Sequence, residues 1–401
     1  MKFSLKQMAS IESEILKRVR VQPGISRIAL ARKLQIAPST VGNYVGRLIT
    51  EGFLVESEKA DYEAGRPPTA LRLNPDGGQF IGVDFEARNI MAMAVDFSDK
   101  PLKHAHKEIQ KTDSVAEVIE KIEQAISEVM PENQGRLLAI GVGVPGLVEP
   151  TKGIAVDYKY IHRWHNVELA APLAKRFDVP VYLENTIRSM ALAELWFGEG
   201  RGISDWLCIG IRSGIGAGIV AGGQLQRGAH FQAGEIGRWQ RPWPQGPGTR
   251  FFVTDASPLA GNVELQEVAS ARAILAALER ARQLKEKTVL SSRSGPLVVA
   301  DLVRAAQQRD LLTMRVIEVA AEMLGWAIGE LALALNPSRV IMAGPLTLLG
   351  DTLLQPLRKR AKEVLEACAA NVPAIVNSTM GEYSGALGAA ALAVHEWKPA
   401  R

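Results

Sequence analysis

The stretch Ser26-Arg-Ile-Ala-Leu-Ala-Arg-Lys-Leu-Gln-Ile-Ala-Pro-Ser-Thr-Val-Gly-Asn-Tyr-Val-Gly-Arg-Leu48 decides how the N-terminal end of this chain folds. Ser26 is a good helix N-cap, and Ile28, Ala29, Leu30 and Leu34 follow it as a short helix. Gln35-Ile36-Ala37 makes a tight connection. Pro38 then suits the first turn of a second helix, where a missing N–H costs nothing. That helix buries Val41, Val45 and Leu48, spaced i, i+4, i+7, and presents Ser39, Thr40, Asn43, Tyr44 and Arg47 on its other face. Two helices joined by a short turn, the second polar outside, form a helix-turn-helix. Gly42 and Gly46 would let the second helix sit deep in a major groove, where Asn43 and Arg47 have side chains that read adenine and guanine edges. Ser39 and Thr40, at the helix start, suit a phosphate.

Upstream, Ile11, Ile15, Leu16 and Val19 predict an amphipathic first helix, ended by Pro23-Gly24. Downstream, Phe53-Leu-Val-Glu56 and Thr69-Ala-Leu-Arg-Leu73 read as two strands around a polar loop that ends Gly65-Arg-Pro-Pro68. That loop is a wing, with Arg66 at its tip placed to enter a minor groove. Charge agrees. Residues 1–72 hold 12 Lys/Arg against 7 Asp/Glu, a net +5, whereas the remaining 329 residues hold 35 against 36, a net −1. A basic head on a near-neutral body points to double-stranded DNA as the head's partner. The competing reading is a three-helix protein-interaction module with the same core.

The chain is 401 residues long and 47 % hydrophobic, enough for two or three globular domains. The longest apolar run, Leu324 to Leu335, is short and contains Glu330, so no membrane span is expected. The N-terminus lacks the apolar core of a signal peptide. Two cysteines, Cys208 and Cys368, sit in apolar sequence surroundings and argue for a reducing cytoplasm. One theme occurs twice in the body. Strands over Phe80–Phe85, Ile90–Phe97 and around His104 are matched by Trp206–Arg212, Ala217–Ala221 and Gln224-Leu225. Each set leads through helices to a strand ending in glycine: Leu137–Val144, and Val340–Ala343 before Gly344. Helical patterns cover 115–130, 189–197, 298–307, 313–335, 353–369 and 384–395. Strands interleaved with helices imply two α/β lobes facing each other across a cleft.

Six stretches together resemble the ROK family (repressors, unassigned reading frames and sugar kinases). They are Ile81-Gly-Val-Asp84, Gly141-Val-Gly-Val-Pro-Gly-Leu147, Val181-Tyr-Leu-Glu-Asn185, Gly214-Ile-Gly-Ala-Gly218, Ala233-Gly-Glu-Ile-Gly237 and Gly385-Ala-Leu-Gly-Ala-Ala390. The resemblance spans nearly the whole chain in the right order. It implies an N-terminal winged helix-turn-helix (1–75) and a two-lobed actin-like, ribonuclease H-like body. The small lobe is expected over 76–198, with a C-terminal helix over 384–398 packed on it, and the large lobe over 199–383.

Departures from the family decide the activity. Its sugar kinases carry a base Asp after the Glu-Asn pair; here that position is Thr186, a neutral hydroxyl that is no useful base near neutral pH. Asp84 is followed by Phe85-Glu-Ala87 where the family has small residues that let backbone approach phosphate, and Glu86 adds repulsion. The second glycine-rich loop, Ser213–Gly218, survives and reads as a tight hairpin needing positive φ. Pro345 follows Gly344 where a flexible small residue is usual. The family's zinc ligands are replaced: Arg238 stands for a His, and no Cys lies between 209 and 367. No catalytic residue, metal or cofactor is therefore expected.

The family's sugar-binding positions correspond to Asn185, Thr186, Glu235, Arg238 and Gln266. Two carboxylates and an imidazole are lost and guanidinium is gained, with Arg188 adding a second. This favours an anionic effector, a sugar acid or sugar phosphate, over a neutral sugar. Alternatively Arg238 pairs with Glu235 or Glu264 and closes the cleft. The expectation is a cytoplasmic DNA-binding regulator of carbohydrate genes, dimeric or tetrameric, binding an operator. The competing functions are a sugar kinase with an appended head, using Asp157 or Glu184 as base, and a constitutive DNA-binding protein without a ligand.

Overall fold

The computed structural model describes residues 5–57, 70–86, 88–131, 135–244, 246–252 and 261–399. The head comprises α1 (Leu5–Val21), α2 (Arg27–Leu34), α3 (Pro38–Thr50) and the antiparallel pair β1 (Leu54–Ser57) and β2 (Ala70–Leu73). Ser26 caps α2 by accepting from the Ala29 N–H at 3.2 Å, and Gln35 turns the chain in the left-handed region before Pro38 starts α3. Ile15, Leu16, Val19, Leu30, Val41, Val45 and Leu48 are buried together. Ile28 departs from the helical pattern: it is exposed. Arg66 lies outside the described residues.

The first lobe follows with β3 (Gln79–Phe85), β4 (Asn89–Asp96), β5 (Pro101–Glu108), α4 (Val115–Val129) and β6 (Leu137–Val144). Next come β7 (Leu147–Glu149), β8 (Ile154–Asp157), β9 (His165–Glu168), α5 (Ala170–Phe177), β10 (Val181–Asn185) and α6 (Thr186–Phe197). The second lobe comprises β11 (Trp206–Ile211), β12 (Ile215–Ala221), β13 (Gln224–Gln226), β14 (Gln240–Pro242) and β15 (Asn262–Glu264). It continues with α7 (Leu265–Ala269), α8 (Ala271–Gln283), α9 (Val299–Gln307), α10 (Leu311–Leu335), β16 (Arg339–Ala343), α11 (Asp351–Glu366) and β17 (Ala374–Asn377), and α12 (Ser384–Glu396) ends the fold.

The repeat read in the sequence is a repeat of topology. One sheet has the order β5-β4-β3-β6-β10 and the other β13-β12-β11-β16-β17. In both, three antiparallel strands are extended by two parallel ones. The small sheet β7-β8-β9 left no clear pattern, because its strands are three or four residues long. The alanine-rich α12 is buried between the first sheet and α6. Its backbone lies so close to β6 that a Cβ on Gly141 would come within 1.8 Å of the Ala389 carbonyl, which requires glycine there.

Head and body share one core. Phe53 of the head packs with Phe80, Phe97 and Trp397 of the body, ring centroids 5.0–5.9 Å apart. Arg20, at the end of α1, donates to Asp99 at 2.7 Å and to the Phe97 carbonyl at 3.0 Å, between the rings of Phe97 and Trp196. Both side chains of the pair are 9 % exposed, and burial lowers the Arg20 pKa despite the pairing. Such an interface fixes the head on the body. Cys208 is buried as its surroundings imply, but Cys368 is exposed because it lies past the end of α11.

Candidate functional site: an exposed recognition helix and an interlobe cleft

On α3 the polar face is solvent-facing: Ser39 and Asn43 are exposed and Thr40 is half-buried. Cβ atoms built on Gly42 or Gly46 meet nothing within 4 Å, so packing within the head does not explain these glycines. Tyr44 leans into the head core, under the Arg47 guanidinium at 5.6 Å. Arg47 forms ion pairs with Glu51 at 3.8 Å and with Glu12, a buried carboxylate of α1. Its guanidinium ties α3 to α1, which the sequence reading, with Arg47 on the outer face alone, did not foresee.

The cleft lies where the two lobes meet. Asn185, Thr186, Glu235, Arg238 and Gln266 all line one cavity of about 330 Å³, at the small end of ligand pockets. Three of the five are already engaged. Asn185 caps α6, accepting from the Ile187 and Arg188 N–H groups at 2.8 and 3.3 Å and donating to the Gly146 carbonyl at 2.9 Å. The Thr186 hydroxyl donates to Asp84 at 2.9 Å, and Gln266 donates to Glu264 at 2.6 Å. The side chains of Glu235 and Arg238 have no hydrogen bond or ion pair among the described residues, so no ion pair within 4 Å joins Arg238 to Glu235 or Glu264. Burial raises the Glu235 pKa, with Arg188 and Arg238 opposing it.

Arg188 corrects the sequence reading. It does not line the cavity: it is buried, donates to Glu184 on β10 at 2.7 Å and to the Ala233 carbonyl at 3.3 Å, and reaches the cleft only through its charge on Glu235. Glu184 is enclosed by Arg188, Arg227 and the Asn185 N–H, so it is no available base. The sequence reading also missed Tyr158 and Lys159, which follow β8 and line the same cavity. The Tyr158 hydroxyl bonds the Ser213 hydroxyl at 2.9 Å, and Lys159 approaches Glu267 at 3.4 Å. The only signal for them was a cluster of aromatic and basic residues after a glycine turn.

At the back of the cavity the lobes are clasped. Arg212 donates to Asp84 at 2.6 Å and pairs with Glu86 at 3.2 Å. Both the backbone N–H and the hydroxyl of Ser213 donate to Glu86 at 2.9 Å. Burial raises the Asp84 pKa, with Arg212 opposing it. Burial also works against the Arg212 charge, but Asp84 and Glu86 outweigh it and its pKa rises. As the hairpin reading expected, β11 and β12 pair antiparallel across a tight turn at 212–214, but the glycines of the 213–218 stretch are not held at positive φ. They serve close packing instead: a Cβ on Gly218 would lie 2.4 Å from that of Ala191 on α6.

The ROK family pattern matches residues 80–396, and a winged helix-turn-helix DNA-binding pattern matches residues 8–55. The xylose repressor of Caldicellulosiruptor bescii is 28% identical over 352 residues, covering 86% of this chain and 85% of that protein. The DNA-binding transcriptional dual regulator NagC of Escherichia coli K12 is 29% identical over 376 residues, covering 92% and 88%. A crystal structure of a ROK family transcriptional regulator, homologous to the Escherichia coli MLC protein, superimposes with a TM-score of 0.79 at 24% identity over 97% of each chain. A kinase-like two-lobed body joined to a winged head, over the full span of both patterns, places this chain in the ROK family.

Proposed function

We propose that this protein is a DNA-binding transcriptional repressor of carbohydrate genes whose body senses a metabolite and does not phosphorylate it. The exposed face of α3 supports DNA reading, with Ser39 and Thr40 on phosphate and Asn43 on a base edge. Arg66 of the wing belongs to the same proposal. The observation that carries the non-catalytic reading is Glu86. Its carboxylate takes up the Ser213 N–H and hydroxyl and, with Asp84, the charge of Arg212. Phosphoryl transfer needs such donors for the transferring group and a carboxylate for the attacking hydroxyl. Here the donors are taken and the base position is Thr186, itself bonded to Asp84. Kinase relatives therefore supply the architecture, and the repressor relatives the role.

The effector in this reading is a carbohydrate with an acidic group. Arg238 supports it, as an exposed guanidinium on the cleft wall without an ion-pair partner among the described residues. Glu235 would accept a hydroxyl, and Asn185, Thr186 and Gln266 would shape the floor. A homodimer or tetramer would present paired heads to two half-sites. The test is a fluorescence-polarisation titration of the protein with DNA from its own promoter region, at two salt concentrations, for wild type and Asn43→Ala. Tight, salt-sensitive binding whose sequence preference weakens in the variant is expected. Binding of wild type without sequence preference, or sugar-dependent nucleotide hydrolysis, would overturn the reading.

A further inference from the structure

Strands β4 and β5 pair so that Met93 lies directly opposite His104, and Met91 directly opposite His106. Directly opposed residues share a face of the sheet, with Cβ atoms about 4.5–5.5 Å apart. Residues two apart along one strand share that face too, at about 7 Å. Two thioethers and two imidazoles therefore stand at the corners of one small rectangle. The intervening residues agree with this parity: Ala92 and Ala105 belong to the core on the other face, with α4. On the rectangle's own face α12 packs over β3, β6 and β4. His104 and His106, on the edge strand beyond it, are exposed, whereas Met91 is buried and Met93 half-buried. The sulfur side of the rectangle is sheltered and the nitrogen side is open to an entering ion.

Both imidazoles are held by neighbours. His106 Nε2 lies 2.9 Å from Oδ1 of Asn89, which is two residues before Met91 on the same face. An amide oxygen only accepts, so with Oδ1 as its partner Nε2 carries the proton and Nδ1 keeps its lone pair. A histidine that ligates a metal is oriented in this way, by donating its other N–H to an oxygen. The His104 ring lies 4.9 Å from that of Tyr383, just ahead of α12.

The donor types decide which ion fits. Among the described residues no three His, Cys, Asp or Glu side chains come together as a metal-holding group, so a zinc-type or calcium-type ligand set is not formed here. Thioethers are soft, neutral donors that favour Cu(I), and imidazole tolerates it. Four neutral ligands leave a single positive charge, which costs less to shelter than the double charge of zinc or calcium. We propose that the face formed by β4 and β5 is a binding site for a soft monovalent metal ion, Cu(I), with Met91, Met93, His104 and His106 as its ligands. The site is separate from the interlobe cleft, and it stands whether or not the head binds an operator.

The experiment is a Cu(I) titration of the full-length protein under ascorbate, in competition with bicinchoninate. It uses a Cys368→Ser background, because Cys368 is exposed and its thiol would take the ion itself. One-to-one transfer of Cu(I) to the protein is expected, with sulfur and nitrogen scatterers in the X-ray absorption spectrum and no comparable uptake of Zn(II). His104→Ala and His106→Ala, both at exposed positions, should each weaken Cu(I) binding at least about tenfold at an unchanged melting temperature. Met93→Leu, which nearly conserves volume, should weaken it as well, and His165→Ala, at an exposed histidine on β9, should leave it unchanged. No transfer of Cu(I), transfer undiminished in the His104→Ala, His106→Ala double variant, or Zn(II) held as tightly as Cu(I) would each overturn the proposal.

Discussion

Removing Arg47 leaves the buried Glu12 carboxylate without its counter-charge. Because Arg47 itself is half exposed, Arg47→Ala should cost about 1–2 kcal/mol of head stability, seen as a lower melting temperature. Loss of operator binding in that variant would mix folding with recognition. Asn43→Ala separates them: melting stays unchanged, and discrimination at one base pair falls by about 1–3 kcal/mol. Gly42 gives the reverse pattern. With nothing near its Cβ position, Gly42→Ala should stabilise α3 by up to about 1 kcal/mol yet weaken operator affinity, since only a bound partner would meet the methyl group. Thermal melts and polarisation titrations of the same samples check all three. In the cleft, burial raises the Glu235 pKa. Such a carboxyl holds its proton more tightly folded than unfolded. Stability therefore falls as pH rises from the unfolded pKa through the folded one, and is level above it. Glu235→Gln should flatten that slope in melts taken between about pH 4 and 7. At this scale the sequence showed which residue types meet, but not which are already spent. Asn185 and Arg188 look alike as candidates, and only packing reveals one as a helix cap and the other as a sealed ion pair.

Elements were legible where local pattern and tertiary role agree. Val41, Val45 and Leu48 define α3 in either view, and β6 spans Leu137–Val144 as its apolar run implies. They were illegible where strands are short, as in β7 to β9, although these position Tyr158 and Lys159. The sequence was also silent on the head–body junction, because Phe53, Phe97 and Trp397 are far apart along the chain and no periodicity links them. That junction makes a strong prediction. Trp397 follows α12 and packs edge-on against Phe53, Phe80 and Phe97. Trp397→Ala should cost about 3–5 kcal/mol. The loss falls at the junction where head and body share one core, so urea unfolding, which should be a single transition in the wild type, should gain an earlier step for the head.

Across the whole molecule, α6 connects the two sites. Its N-cap Asn185 and first residue Thr186 lie on the interlobe cleft, and Trp196, near its other end, lies 5.7 Å from the Arg20 guanidinium of the head. Twelve helical residues span about 18 Å, and α6 packs closely on β12 and α12. The Glu86 clasp sets the lobe spacing at the first end, through Asp84 and Thr186. Loosening that clasp should therefore be felt at the operator even without an effector. Glu86→Gln is expected to change operator affinity, and the change should vanish in a background of Arg20→Met with Asp99→Asn. That pair removes the buried ion pair without leaving one charge behind. A double-mutant cycle measures this directly, and coupling above about 0.5 kcal/mol between sites not in contact supports transmission along α6. Additive effects would mean that the head responds to the clasp by another route, or not at all. A two-state element biased from both ends is what the reading requires, and the cycle tests that element before any effector is known.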